Sequence, residues 1–534
     1  MPAWIRFFSF NRNTVKHASA LLAITAIISN VLGLARNMFL YRLYGTGQLD
    51  AYFASFLIPD LLFSLLIFGA VTSVVIPFTS ELISQGKDDD AHRLINQLIT
   101  WTLTFFVIVA IVLGFALPWL VPHIVPGFAH DSRLGLTVTL SRIMLLQPIL
   151  FAPSFTIGAL LNAHRRFSSY SFAPLVYNLA IIIGAVASKS IGVIGVTWFV
   201  IVGALLHLAI QYREAWLAGF RLGLDWRISD ALRQMWKLML PPNLTQGFLK
   251  IIPFVYDRLA SRLQVGSIAV YSGINNIQTT PTVVVANSLA AAFFPSLVAA
   301  ITEGDLPKMN ELLGKVIRAS LFLLLPITGL SLVLRAQLIR LYAGLGGIDW
   351  HLTNIGIATF AWFMVGIIPA SLAIILTRVF YAHKDTKTPM LIGVLGGIVS
   401  IATAFLGLHY YRNTVESFAI AEVAGSFVQA VMCLGILYAR KYIHLPLNDI
   451  LRNAATYAIG TILLALATWG SLYLVDYAYR ITGSGFFQTD RVIGLLTQTV
   501  IAIVIGSAVY LAYSAITSKD ELRWVRNRRF SSGT

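Results

Sequence analysis

The sequence predicts an all-α polytopic membrane fold of about fourteen transmembrane helices, arranged as two related six-helix lobes and a C-terminal helix pair. Three observations predict it. The 534 residues are 57% hydrophobic and only 12% charged, where soluble domains carry about 25% charged residues. Apolar runs of about 20 residues, the length that crosses about 30 Å of hydrocarbon, recur from Ala18 almost to the C-terminus. Two loop motifs return at a nearly constant offset of 218 to 219 residues.

In chain order, the apolar runs place spans near 17–40, 50–82, 97–119, 134–162, 173–190, 192–212, 238–263, 267–301, 313–334, 353–381, 389–408, 414–438, 453–475 and 492–516. The first run follows a basic head, as in a signal peptide, but so many spans come after it that it reads as a retained first helix. With the N-terminus inside, Lys and Arg fall about two to one on the cytoplasmic side. Arg213, Arg221, Arg227, Arg233 and Lys237 share one loop, and Lys519, Arg523, Arg526, Arg528 and Arg529 crowd the tail. Both termini therefore read as cytoplasmic. The stretch 213–237 also carries Trp216, Trp226 and Trp236, which fits either an amphipathic segment lying on the membrane or a solvated loop.

The repeat organises the chain. PFTSELISQGKDDDAHRLINQ from Pro77 is answered by PSLVAAITEGDLPKMNELLGK from Pro295, Gly86 matching Gly304, and NAHRR at 162–166 is answered by YAHKD at 381–385, His164 matching His383. Each repeat holds six spans, an even number, so the halves share one orientation and are related by an axis along the membrane normal. The predicted domains are an N-lobe, 1–220, a C-lobe, 238–440, the last helix pair, 452–517, and a basic tail, 518–534.

Several function classes fall away. The single Cys433 offers neither a disulfide framework nor a thiolate cluster. The net charge of +16 is scattered over short loops, so it signals topology and not a nucleic-acid partner. Zinc spacings, nucleophile elbows, phosphate loops and catalytic carboxylate pairs do not occur. No cofactor is expected, and the chain reads as one that moves a substrate, not as an enzyme.

The segments VLGLARNMFLYRLYG (31–45), DAYFASFLIPDLL (50–62), VPGFAH (125–130), GALLNAHRRFSSYSFAPLVYNL (158–179), VYDRLASRLQVGSIAVY (255–271) and FYAHKDTKTP (380–389) closely resemble the MurJ (MviN) family of lipid II flippases. The resemblance runs from helix 1 through helix 12. It implies the fold of the multidrug/oligosaccharidyl-lipid/polysaccharide exporter superfamily and export of undecaprenyl-pyrophosphate-linked peptidoglycan precursor across the bacterial inner membrane. It also implies a central cationic cavity lined by helices 1, 2, 7 and 8 and a groove for the lipid tail at helices 13 and 14. The partners it implies are a lipid-linked oligosaccharide substrate, membrane lipids and cell-wall synthesis proteins. The chain departs from the family at the cations expected to meet a pyrophosphate. Ser29 and Asn30 stand where the family has Ser-Arg. Asp60, Leu61, Leu62, Phe63 and Ser64, with Phe68 before Gly69, replace an Asn-Leu-Leu-Arg-Arg run and an acid. Asn275 and Asn276 replace an acidic-basic pair. Export of another polyprenyl-linked saccharide, a cation-coupled drug antiporter and a scaffold without transport therefore stay open as rivals.

Individual residues sharpen the expectation. Arg36 matches the family's substrate-contacting arginine, and snorkelling to the interface is the other reading. Asp50 opens helix 2, where the helix dipole also favours an acid. Asp60 is ten residues further on, about 15 Å deeper. A lone charge there costs about 2.5–3.5 kcal/mol, so it must face the cavity or a partner. Lys250 reaches a similar depth in helix 7 and is expected to replace lost arginine charge, with Asp60 as its counterion when substrate is absent. Asp257 and Arg258 could gate or pair. Asn275, Asn276, Gln278, Thr279 and Thr280 form a polar run before Pro281 that must avoid lipid. His164, Arg165 and Arg166 with His383, Lys384 and Lys387 sit at matching loops, as an inner gate or as positive-inside anchors.

Overall fold

The computed structural model describes residues 15–65, 71–343, 349–411, 414–482, 488–489 and 491–527, helical almost throughout and without strands. The basic head 1–14, Phe68, Gly69, Arg528 and Arg529 lie outside the described residues. The chain divides into two units, Met1–Ala269 and Val270–Thr534. The seventh span of the sequence reading belongs to the first.

In the first unit the helices are α1 (Val15–Leu43), α2 (Thr46–Ala54), α3 (Leu57–Phe63), α4 (Ile76–Ser84), α5 (Asp88–Ile124), α6 (Ser132–Met144), α7 (Leu146–Ala163), α8 (Phe167–Ala187), α9 (Val193–Leu217), α10 (Asp230–Leu249), α11 (Ile251–Ala260) and the start of α12 (Ser267–Pro281). In the second they are the rest of α12, then α13 (Ser288–Thr302), α14 (Leu306–Val333), α15 (Arg335–Ala343), α16 (Trp350–Ala382), α17 (Lys387–Leu406), α18 (Glu416–Ala439), α19 (Leu447–Thr482), α20 (Val492–Thr517) and α21 (Lys519–Asn527).

Among the described residues twelve stretches of helix are long and apolar enough to cross a membrane. Most overrun the predicted windows because polar ends continue the helix. Asp88, Asp89 and Asp90, for example, occupy the first turn of α5, where the helix dipole favours them. The two remaining predicted spans, 50–82 and 238–263, are helical in pieces. Two of the breaks, at Ser55 and at Leu249, have a proline four residues beyond them. Pro59 lacks an N–H and its ring crowds the carbonyl of Ser55, between α2 and α3; Pro253 does the same to Leu249, where α10 ends. Backbone freed in this way at membrane depth persists only where protein or a watered cavity shelters it. These broken stretches carry Asp60 and Lys250.

Each unit has its own core. Ile95, Ile99, Phe106, Ile157 and Leu160 are buried in the first, and Leu313, Phe322, Val379, Phe380 and Tyr457 in the second. The outer surface is apolar as well. On α5, Ile108, Ile111, Val112, Phe115 and Trp119 are all exposed at helical spacing, which makes a lipid-facing stripe. The motifs matched in sequence also close their helices alike. Arg165 and Lys384 both take positive φ, 58° and 60°. In each case the next residue's N–H reaches back to the turn before, Arg166 to Leu161 O at 2.8 Å and Asp385 to Phe380 O at 2.9 Å, closing the helix in a Schellman motif. Gly86 and Gly304 repeat it at φ 74° and 73°.

Candidate substrate site

Asp60 sits in the first turn of α3, and Lys250 is the joint between α10 and α11. The two breaks bring them together. Lys250 Nζ lies 3.9 Å from Asp60 Oδ2, with side chains 43% and 46% exposed. They border a cavity of about 230 Å³ lined also by Pro59, Phe63, Ser64, Gln147, Pro148 and Phe151. One wall is aromatic, Phe63 meeting Phe151 at 5.9 Å and Phe155 at 5.0 Å. An ion pair this exposed is worth about 1 kcal/mol or less, so an entering anion can displace Asp60 at little cost.

The other predicted residues fall into separate networks. Arg36, half-buried on α1, donates to Asn37 Oδ1 at 3.1 Å and Asn178 Oδ1 at 3.2 Å. Asn178 in turn donates to Ser29 Oγ at 3.3 Å, so one α8 amide ties both α1 residues. Asn30 is half-buried on the same helix. Asp50 does not line the cavity. It is 1% exposed and accepts from Arg133 at 2.9 Å, Gly266 N at 2.6 Å and Ala269 N at 2.9 Å. Arg133 continues to Asp131 at 2.6 Å and lies over the Phe128 ring. The outcome is a clamp joining α2, the 125–133 loop and the start of α12. Close approach of backbones locks it further. A Cβ on Gly127 would stand 1.8 Å from the Ser261 carbonyl oxygen.

Asp257 is 6% exposed, and its Oδ1 has no hydrogen-bond partner among the described residues. Arg258 donates to the His123 carbonyl instead, so the two neighbours do not pair with each other. In α12, Gln278 donates to Asn275 at 2.9 Å and Asn276 to Ser272 O at 2.9 Å. The polar run is thus bonded within its own helix, and Asn276 is exposed.

The matched loops hold parallel arrangements. His164 bonds Leu160 O at 3.0 Å and faces Asp88 at 3.1 Å. His383 bonds Val379 O at 2.9 Å and stacks on Tyr442 at 4.0 Å. Arg165 and Lys384 supply the left-handed turn residues. Asp385 accepts from Thr388 N at 3.0 Å and Arg440 at 2.5 Å. Burial would raise its carboxyl, but these hydrogen bonds outweigh it and hold the group down at about 2.

Several residues escaped the sequence reading. Asn178 and Arg133 lie in or beside quoted motifs, yet nothing in one sequence reveals which cation an amide or an arginine will meet. Glu422, which accepts from Tyr271 at 2.8 Å, and His207 were legible as ionisable groups inside predicted spans.

Comparison with known proteins is consistent with this picture. The family model described as lipid II flippase MurJ matches residues 41–487. A probable lipid II flippase MurJ of Rhizobium tropici is 26% identical over 514 residues, 93% of each chain. The lipid II flippase MurJ of Burkholderia cenocepacia is 26% identical over 392 residues, 70% of this chain and 75% of its own. Among solved structures, lipid II flippase MurJ in an inward closed conformation superposes with a TM-score of 0.76 at 20% identity, covering 94% of this chain and all of that one. An inward-facing MATE multidrug transporter superposes at 0.66 and 14% identity, over 79% and 97%. With its model matched across most of the sequence, the family is settled: this chain belongs to the lipid II flippase MurJ family.

Proposed function

We propose that the chain is a multi-pass inner-membrane flippase that carries lipid II, the undecaprenyl-pyrophosphate-linked peptidoglycan precursor, from the inner to the outer leaflet by alternating access, with both termini in the cytoplasm. Family membership supports the cargo. The observation that carries the mechanism is the half-exposed Asp60–Lys250 pair at the mouth of a cavity. A diphosphate leaving water needs positive partners. Lys250 supplies one, and Arg36, held in place by Asn37 and Asn178, supplies another. Asp60 neutralises Lys250 between cycles, since a bare lysine at that depth is costly, and yields when phosphate arrives. The Asp50–Arg133 clamp holds the fold around this site and does not contact cargo. The loops around His164, Arg165, His383 and Lys384 serve as cytoplasmic anchors that move with their helices, and Asp257 and Arg258 brace the end of α11. The chain makes and breaks no bond in its cargo.

The test is complementation of a strain depleted of its own lipid II flippase. The wild-type chain restores growth and cell shape, Lys250→Gln does not, and Lys250→Arg does so in part. Failure of the folded, membrane-inserted wild-type chain to restore growth would reject the assignment.

A further inference from the structure

The first unit buries a titratable group that the substrate site leaves idle. His207 lies on α9 and is 5% exposed, ten residues before the helix ends at Leu217, about 15 Å along its axis. An ionisable group so placed inside a membrane span is a functional-site candidate.

Its surroundings are specific. Ser154 Oγ on α7 is 2.7 Å from His207 Nδ1, and Gln211 Nε2 lies 3.1 Å from both. With the amide nitrogen placed as donor, Nδ1 accepts, the arrangement that suits a neutral ring carrying its proton on Nε2. Gln211 Oε1 meanwhile is buried without a partner, a state that costs about 1–3 kcal/mol. Protonation of Nδ1 resolves this. When Gln211 turns half a revolution about its last bond, Oε1 accepts from both Nδ1–H and the Ser154 hydroxyl. The amide nitrogen moves into the space above Gly158, where a Cβ would meet Gln211 Oε1 at 2.4 Å and the Tyr170 ring at 3.0 Å. The site thus holds a second hydrogen-bond arrangement that fits an imidazolium.

It also has two approaches. Gln211 and Glu214 follow His207 on one face of α9, at four and seven residues. Glu214, near the helix end, accepts from Ser169 N at 3.2 Å and from its hydroxyl. On the other side Phe151 packs on the His207 ring at 5.3 Å, and Phe155 stacks on it at 5.5 Å and 25°. Phe151 lines the Asp60–Lys250 cavity, so a single aromatic layer separates His207 from the substrate site. Other titratable groups on the packed helices are Tyr170 and Tyr177 on α8, Tyr212 and Arg213 on α9, Arg133 and Arg142 on α6, and Asp50 and Tyr52 on α2. Asp50 and Arg133 bond each other, and Arg142 donates to Gly114 O.

We propose that His207, with Ser154 and Gln211, is a proton-binding site that is loaded by way of Glu214 and discharged toward the Asp60–Lys250 cavity, so that a proton moves with the transport cycle. One proton adds to Nδ1 and leaves from it, with no other bond made or broken.

The test uses the full-length chain in phosphatidylethanolamine–phosphatidylglycerol vesicles, with nitrogen-15 histidine spectra across pH 8 to 5 and proton flux read by an enclosed pH dye under an imposed gradient. A buried ring that titrates in this range, its signal absent from His207→Gln, is expected. Gln211→Glu should raise its midpoint by about one pH unit or more, and His207→Gln should cut proton flux about tenfold or more. Gln211→Glu keeps the ring and reads the same site if His207→Gln does not fold. A His207 signal that stays neutral at pH 5, or wild-type flux in folded His207→Gln, overturns the proposal. Neither readout involves cargo, so failure here leaves the flippase assignment untouched.

Discussion

Removing the two ends of the Asp60–Lys250 pair should have opposite effects on cargo binding. At 3.9 Å and an effective dielectric of 20, the Coulomb attraction is about 4 kcal/mol. Both side chains are nearly half exposed, and measured pairs of that kind return about 1 kcal/mol or less. Displacing Asp60 therefore costs the cargo about fivefold in affinity, and Asp60→Asn should return up to that factor while slowing release. Lys250→Gln instead removes a charge-assisted hydrogen bond to phosphate worth about 1.5–3 kcal/mol, weakening binding about 10- to 150-fold. Lys250→Arg keeps the charge and part of the binding. In the double variant, Asp60→Asn should have no further effect, because the cation it shields is gone. The assay is binding of lipid II to purified variants in nanodiscs by microscale thermophoresis, run beside complementation. Wild-type affinity in Lys250→Gln, or additive effects in the double variant, would refute the reasoning.

Other consequences can be checked separately. Arg133→Ala strands the buried Asp50 carboxylate and should cost about 3–5 kcal/mol of stability, seen as a lower melting temperature in detergent, whereas no change would remove the clamp from the account. Gly127→Ala drives a methyl group into the Ser261 carbonyl and should destabilise by about 1–3 kcal/mol or more, with a melting curve equal to wild type as the contrary result. Asp385 titrates at about 2, below its ordinary 3.8. Its contribution is therefore present above pH 4 and lost as pH falls toward 2, and Asp385→Asn should abolish that acid-side loss in pH-dependent melting. A cysteine at position 225 should escape membrane-impermeant thiol reagents in intact cells, and efficient labelling would reverse the orientation. A cysteine at 530, outside the described residues, carries the same expectation.

The membrane class, the spans and the matched loops were legible because they are written locally, in runs of apolar residues and in short motifs around helix ends. Gly86, Gly304, Arg165 and Lys384 could be paired from sequence because each closes a helix with bonds no more than five residues long. Asp60 and Lys250 were legible for another reason, since a charge at membrane depth demands a partner. Asp50 shows where such reasoning stops. Its type and position suit a cargo contact, yet its bonds run to Arg133, Gly266 and Ala269, 83 to 219 residues away, and no local pattern encodes them. Asn178 is similar, an amide in a helix whose role arises only where α8 crosses α1. In 220–229 the alternation of exposed Leu222, Leu224, Trp226 and Ile228 was present in the sequence. The surrounding stretch 213–237 reads as either an amphipathic segment on the membrane or a solvated loop, and in the fold 220–229 has no regular secondary structure and is held by Asn96, Gln97 and Thr100 of α5.

The most direct test of the central claim is translocation itself. Purified chain is reconstituted into vesicles carrying fluorescent lipid II, and the fraction reaching the opposite leaflet is read by an impermeant quencher, for wild type and Lys250→Gln side by side. The account predicts rapid translocation by wild type, little above protein-free vesicles for Lys250→Gln, and an intermediate rate for Lys250→Arg. Wild-type protein that binds lipid II but leaves it in its original leaflet, or Lys250→Gln that moves it at the wild-type rate, would contradict it.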